Sequence, residues 1–272
     1  MKMRTLSLLG LAAASAIASA QYTLFPISNF SGTTDISNTG TAVGPFSPGY
    51  GLWNPKNGMA PRSIGGSASG QAGISADGMT VGATALGSDN RSEYAKYNVL
   101  TSTWTPLGGA GGYSGTTRSS CWGLSSDGST VYGFGYGTPT GTATFTGIRP
   151  ISHNGTTMTD YSIIQNANSI NRIMASSANG AVVTGRCRLT TTTDGTFYWV
   201  GGTPNNMYAT GTTNYLGEPR AMSGDGTVIG GSGNFTTETT QLGYGHTLPY
   251  LLDALENTQN TNHSNACLNG RE

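Results

Sequence analysis

An apolar residue and a serine, then Asp-Gly or Asn-Gly, then an alternating valine or isoleucine: this pattern of apolar and polar positions recurs five times along the chain. Its copies are Ile36-Ser-Asn-Thr-Gly40-Thr-Ala-Val43-Gly44, Ile74-Ser-Ala-Asp77-Gly78-Met-Thr-Val81-Gly82 and Leu124-Ser-Ser-Asp127-Gly128-Ser-Thr-Val131-Tyr-Gly133. Two more are Ser176-Ser-Ala-Asn179-Gly180-Ala-Val-Val183-Thr-Gly185 and Met222-Ser-Gly-Asp225-Gly226-Thr-Val-Ile229-Gly-Gly231. Each phrase predicts a β-hairpin: the apolar residue and serine end one strand, Asp-Gly or Asn-Gly takes the positive φ angles of a tight turn, and the valine begins the return. Gly40, Asp77, Gly78, Asp127, Gly128, Asn179, Gly180, Asp225 and Gly226 are thus read as structural turn residues. The first copy departs from the rest, with Thr39 where Asp or Asn stands elsewhere, and the fourth has Ser176 in the apolar place.

The shared glycines fall at 40, 78, 128, 180 and 226, so the copies are 38, 50, 52 and 46 residues apart. That spacing is close to the roughly 40–50 residues of one propeller blade. Between hairpins runs an aromatic strand leading to a glycine-rich turn, as in Tyr50-Gly-Leu-Trp53, Trp104-Thr-Pro-Leu107-Gly-Gly109 and Phe197-Tyr198-Trp199-Val200-Gly-Gly202; the third unit lacks the Trp there. Two such strands and two from the hairpin make four per unit, the size of one blade. The expectation is an all-β chain: a β-propeller of about five four-stranded blades over residues 21–245, its last unit incomplete. A sandwich or solenoid of the same hairpins is the competing arrangement. Residues 246–272 are expected to hold a short amphipathic helix, Leu248–Leu255, and a disordered Asn-rich tail.

The N-terminus carries Lys2 and Arg4, an apolar run from Leu6 to Ile17 and the small-x-small site Ala18-Ser19-Ala20, which reads as a signal peptide over residues 1–20. The mature chain is expected to be secreted or displayed at the cell surface, with no integral membrane segment after cleavage. Without Lys2 and Arg4, eleven basic residues face thirteen acidic ones, a net charge of −2. That balance does not attract nucleic acid or anionic lipid. With 42 glycines and 10% charged residues, the surface must be built from Thr, Ser, Asn and Gly, which disfavours long helices.

Three cysteines in an oxidising compartment allow at most one internal bridge. Cys121 with Cys187 is the first pairing to consider, and three buried thiols the alternative. Without C-x-x-C or a nearby His pair, neither metal nor cofactor is expected.

The phrase apolar-Ser-x-Asp-Gly-x-x-Val-x-Gly, followed by an aromatic strand with Trp and Leu-Gly-Gly, resembles the HAF-repeat family of bacterial extracellular proteins over about residues 30–231. The resemblance implies a secreted, propeller-like protein, of a kind often found as a surface or autotransporter passenger segment. It carries no catalytic role, because the matching residues are turn and core positions.

Catalytic constellations are weak. No serine stands in a Gly-x-Ser-x-Gly elbow. His153, His246 and His263 lie far apart and read as surface residues. Glu93, Asp160, Glu218 and Glu238 could supply a carboxylate pair for glycoside hydrolysis only if the fold gathers them. Asp77, Asp127 and Asp225 read as turn residues bonding their own backbone, too few in oxygen ligands for calcium. Gly133-Phe-Gly135-Tyr-Gly137 reads as a glycine-rich loop, not a phosphate cradle, because Thr138-Pro139-Thr140 follow where a helix should begin. Tyr94, Tyr113, Trp122 and Tyr136 are candidates for stacking on sugars. The chain is therefore read as a non-enzymatic scaffold or binding module, its partner a carbohydrate or another surface protein. A glycan-active enzyme with carboxylates in a propeller pocket and an autotransporter-like passenger are the alternatives.

Overall fold

A computed structural model describes residues 27–67, 69–109, 115–137, 147–161, 171–188, 194–208, 215–233 and 242–247. The signal peptide and the C-terminal helix and tail expected from the sequence lie outside the described residues. Five antiparallel sheets follow one another along the chain. The first holds β1 (Asp35–Ile36), β2 (Ala42–Phe46), β3 (Gly49–Asn54) and β4 (Met59–Gly65); the second β5 (Gly73–Ile74), β6 (Thr80–Leu86), β7 (Ser92–Asn98) and β8 (Thr103–Gly108). The third holds β9 (Ser119–Leu124), β10 (Val131–Gly137), β11 (Gly147–His153) and β12 (Met158–Asp160). In the fourth are β13 (Arg172–Ser176), β14 (Val182–Arg188), β15 (Asp194–Val200) and β16 (Thr203–Asn206), and in the fifth β17 (Glu218–Met222), β18 (Val228–Gly233) and β19 (Leu242–Thr247). Every sheet is a meander in chain order, and the fifth has three strands among the described residues. The five sheets are the blades of a β-propeller.

Each recurring phrase joins the first strand of a blade to the second. In the second blade the Gly78 amide donates to Ser75 O at 2.8 Å and the Ser75 amide to Thr80 O at 2.9 Å. Gly78 has φ +75°, and Gly40, Gly128, Gly180 and Gly226 lie between +69° and +83°. The aspartates and Asn179 are not in the left-handed region, which differs from the two-residue turn expected from the sequence. The reason lies in the serine. Ser75 Oγ donates to Asp77 Oδ1 at 2.5 Å and accepts the Thr80 amide at 2.9 Å, while Asp77 Oδ1 also accepts the Met79 amide. These side chains close a longer loop in which one glycine suffices. Ser125 with Asp127, Ser177 with Asn179 and Ser223 with Asp225 repeat the arrangement. In the first copy Thr39 takes the acid's place, its hydroxyl 2.8 Å from Ser37 Oγ.

The turns also bond to one another. Asn38 N donates to Ala76 O, Ala76 N to Ser126 O, Asp127 N to Ala178 O and Ala178 N to Gly224 O, at 2.7–3.0 Å. Four links thus join five turns. Apolar packing follows the same plan, with one core cluster at each of four blade junctions. Val43, Tyr50, Leu52, Ile74, Val81 and Tyr97 fill the first junction, and Tyr94, Cys121, Leu124, Val131 and Ile151 the second. Tyr132, Ile173, Val183, Phe197 and Trp199 fill the third, and Val182, Tyr198, Met207, Leu216 and Ile229 the fourth. A blade is apolar on both faces, so its burial requires neighbours, as the repeat pattern demands.

The fold differs from the sequence expectation at the cysteines and at one glycine-rich run. Cys121 and Cys187 do not pair with each other: both are buried, in different junction clusters, and burial pushes the Cys121 thiol up to about 12. The run from Gly133 to Gly137 is not a loop but the end of β10, paired with β11 throughout and with β9 as far as Gly135. Gly133 serves close packing there, since a Cβ at this position would overlap the Ser120 carbonyl across a bulge.

Candidate functional site at the propeller axis

The first strand of each blade lies innermost, and β1, β5, β9, β13 and β17 stand side by side around a cavity of about 340 Å³. Its wall includes Asp35, Gln71, Trp122, Tyr132, Ser176 and Arg220. Asp35 is the carboxylate of this wall. Its Oδ1 accepts the Ile36 amide and its Oδ2 the Ile74 amide, each at 2.8 Å, so it ties the first blade to the second. Burial holds its pKa above the ordinary carboxylate value, against the lowering effect of those two amides. Both oxygens being engaged, Asp35 is better suited to hold a donor group than to abstract a proton. Tyr132 reaches the axis by crossing Gly123, where a Cβ would overlap its hydroxyl. Burial above all, with the charge of Asp35 next, keeps its phenol protonated. Trp122 carries the Arg172 guanidinium 4.0 Å above its ring, a cation–π contact between the third and fourth blades.

The two rims differ. On one, the five turns spend their backbone groups on each other. Burial opposes charge on Asp127, but the Ser125 hydroxyl and Ser129 amide outweigh it and lower the pKa. The Ser75 hydroxyl and Met79 amide lower Asp77; the hydroxyls of Ser223 and Thr227 and the Thr227 amide lower Asp225 to about 2. A carboxyl with a depressed folded pKa stabilises the fold above its unfolded value of about 4, and that contribution is lost as pH falls through the folded value. The expected result is a melting temperature that declines between about pH 4 and about pH 2. The triple variant D77N/D127N/D225N, which copies the Asn179 turn, should show a flatter decline; an equal slope in both proteins would refute the role of these acids.

The opposite rim carries ion pairs and aromatic rings. Arg118, at the start of the third blade, pairs with Asp89 and Glu93 of the second, and Arg172 of the fourth with Glu218 of the fifth. Trp122, Phe134 and Tyr136 form a row, with ring centroids 6.4 and 5.4 Å apart. Trp122 and Tyr136, two of the aromatics singled out for stacking, are thus brought onto one blade. Tyr94 is not available for stacking: it is fully buried and donates its hydroxyl to Ile151 O at 3.0 Å, because its place in β7 points it into the second junction. Tyr113 lies outside the described residues.

The carboxylates considered for glycoside hydrolysis are not gathered. Glu93 faces Arg118, Asp160 faces Arg149, and Glu218 is shared by Arg172 and Arg220. Glu238 and the side chain of His246 lie outside the described residues, as does His263. His153 is buried rather than on the surface, its Nδ1 accepting the Gly155 amide at 2.9 Å. Burial, then the charge of Lys96, lowers its pKa. Among the described residues no three His, Cys, Asp or Glu side chains gather as a metal site would require.

Asp35 is not singled out by the repeat pattern, and the pattern names the five turn serines only as strand ends, without the hydroxyl bonds that close their loops. A signal for Asp35 is present: two residues before the repeat serine the other copies have Gly73, Gly123, Ala175 and Ala221, and only the first has a charged residue there.

No family model matches the chain, and no curated protein matches it. Among solved structures the chain is similar to a TolB from Agrobacterium tumefaciens described as putative, at TM-score 0.50 and 12% identity, covering 76% of this chain and 70% of that one. It is also similar to the β-propeller domain of the Trilobed protease from Pyrococcus furiosus, at TM-score 0.49 and 14% identity, covering 84% and 73%. TolB from Acinetobacter baumannii matches at TM-score 0.44 and 12% identity over 64% of this chain, which spans 41% of that protein's length. At these identities the likeness is one of fold, and the fold of this chain is a β-propeller.

Proposed function

We propose that this chain is a secreted or cell-surface binding module of the HAF-repeat kind, not an enzyme, and that it seats a small group of its ligand in the axial cavity. The observation that carries the reading is the cavity of about 340 Å³ walled by the inner strands of all five blades. Its volume lies at the small end of the roughly 300–1,000 Å³ of ligand sites, enough for one sugar ring or a short peptide end. Support for binding without turnover comes from the chemistry of the described acids: Asp35 has both oxygens on backbone amides, and Glu93, Asp160 and Glu218 are each paired with arginine. Support for export comes from the basic, apolar and small-residue order of the first twenty positions.

The test begins with expression of the whole chain and sequencing of the protein recovered outside the cells, which should start at Gln21. That protein is screened by thermal shift against monosaccharides, amino acids and dipeptides. At least one compound should raise the midpoint without being consumed, and Ala221→Trp, an exposed position on the cavity wall, should abolish the shift. Compound turnover would point to the enzyme instead, and a shift that survives the tryptophan would place binding elsewhere.

A further inference from the structure

A second pair of rings stands away from the axis. After β16 the chain crosses toward β17, and Tyr208 and Tyr215 face each other across an antiparallel bridge. Their ring centroids are 4.7 Å apart at 46°. Phe197, almost fully buried, backs Tyr215 at 5.4 Å, so the pair is anchored to the core between the third and fourth blades. Tyr208 is 36% exposed. Its hydroxyl donates to Tyr215 Oη at 3.4 Å, which donates in turn to Asn206 Oδ1 at 3.2 Å. Burial, then Tyr208, pushes the Tyr215 phenol up to about 12, so Tyr215 keeps its proton at neutral pH.

We infer that Tyr208, Tyr215 and Asn206 form a binding site for a neutral saccharide, on the rim opposite the Asp-Gly turns and separate from the axial cavity. Three observations carry the choice of ligand. An exposed tyrosine face, fixed in angle by its neighbour, offers the negative surface against which the C–H face of a pyranose ring packs. The relay consumes the donor of each phenol and one oxygen of Asn206, leaving the outward lone pairs of Tyr208 Oη and the Asn206 amide donors, which complement sugar hydroxyls. From residue 195 to residue 217 the chain has no charged residue and no histidine, while Thr203 and Asn206 are exposed. A charged ligand would find no counter-ion within that segment; a hydroxyl-rich neutral one needs none. Rigid backing of the rings also limits the ordering cost of binding.

The site is tested on the whole secreted protein by titration with cellohexaose, chitohexaose, xylohexaose and laminarihexaose, read by tryptophan and tyrosine fluorescence and by saturation-transfer NMR. At least one should bind. Tyr208→Ala should weaken that binding about tenfold, the scale of one aromatic contact, with an unchanged circular dichroism spectrum and melting curve. Tyr208→Phe should weaken it less, because the stacking face remains, and Asn206→Ala should weaken it several-fold. Ala221→Trp should leave it unaltered, which separates this site from the axial one. Binding by none of the four oligomers, or only by polygalacturonate, overturns the inference. So does binding insensitive to Tyr208→Ala and Asn206→Ala but lost with Ala221→Trp.

Discussion

Trp199→Ala lowers the unfolding free energy by about 3–5 kcal/mol, the range for removing a large aromatic side chain from a packed core. Trp199 is 1% exposed and lies in the cluster that binds the third blade to the fourth, with Tyr161 at 5.5 Å and Phe197 at 5.8 Å between ring centroids. Its indole Nε1 has no hydrogen-bond partner, so the loss comes from packing alone. Trp199→Phe keeps a ring and removes the buried N–H, and should therefore cost clearly less than the alanine. Urea unfolding followed by circular dichroism measures both. An alanine variant with the wild-type midpoint would mean that the third junction is not a core, and an equal loss in the two variants would mean that the ring itself contributes nothing.

Gly180→Val is expected to rank second, near 3 kcal/mol, because two penalties of about 1–3 kcal/mol each coincide: a branched side chain in the left-handed region and overlap with a packed neighbour. Gly180 has φ +69°. A Cβ there would stand 2.6 Å from Thr130 Oγ1 and 2.7 Å from Thr130 Cβ, in the return of the preceding turn. The substitution thus strains its own loop and presses the fourth turn away from the third, at the link from Asp127 N to Ala178 O. Gly201→Val is the control. It too has positive φ, +55°, but nothing lies within 4 Å of its Cβ position, so it should show the strain without the overlap. If both variants unfold at the same urea concentration, contact between turns is not what the glycine of the repeat protects.

Fold class was legible in the sequence because it depends on features with a local cause. A glycine needed for positive φ, a serine three residues before it and an aromatic strand after it survive in every copy or nearly so, and their spacing gives the blades. The exact turn was not legible: Asp-Gly alone suggests a two-residue hairpin, and only the Ser75 hydroxyl, reaching both Asp77 and the Thr80 amide, makes the longer loop. Long-range geometry was less accessible still. Nothing adjacent to Tyr94 announces that it points at Ile151, 57 residues away, nor do Cys121 and Cys187 reveal separate clusters. Gly133 to Gly137 read as a loop because glycine is rare in strands, whereas at Gly133 close packing across a bulge requires it. Asp35 was legible in principle, through comparison of the five copies at one column. Tyr208 and Tyr215 are brought together by the bridge that forms only after the fourth blade is built.

The turns of this protein bond to the turn before and the turn after, and among the described residues none joins the fifth to the first. Links of this kind make each register a matter between two consecutive units, so a unit duplicated within the series would meet the same chemistry on both of its sides, and the central space would widen with the count.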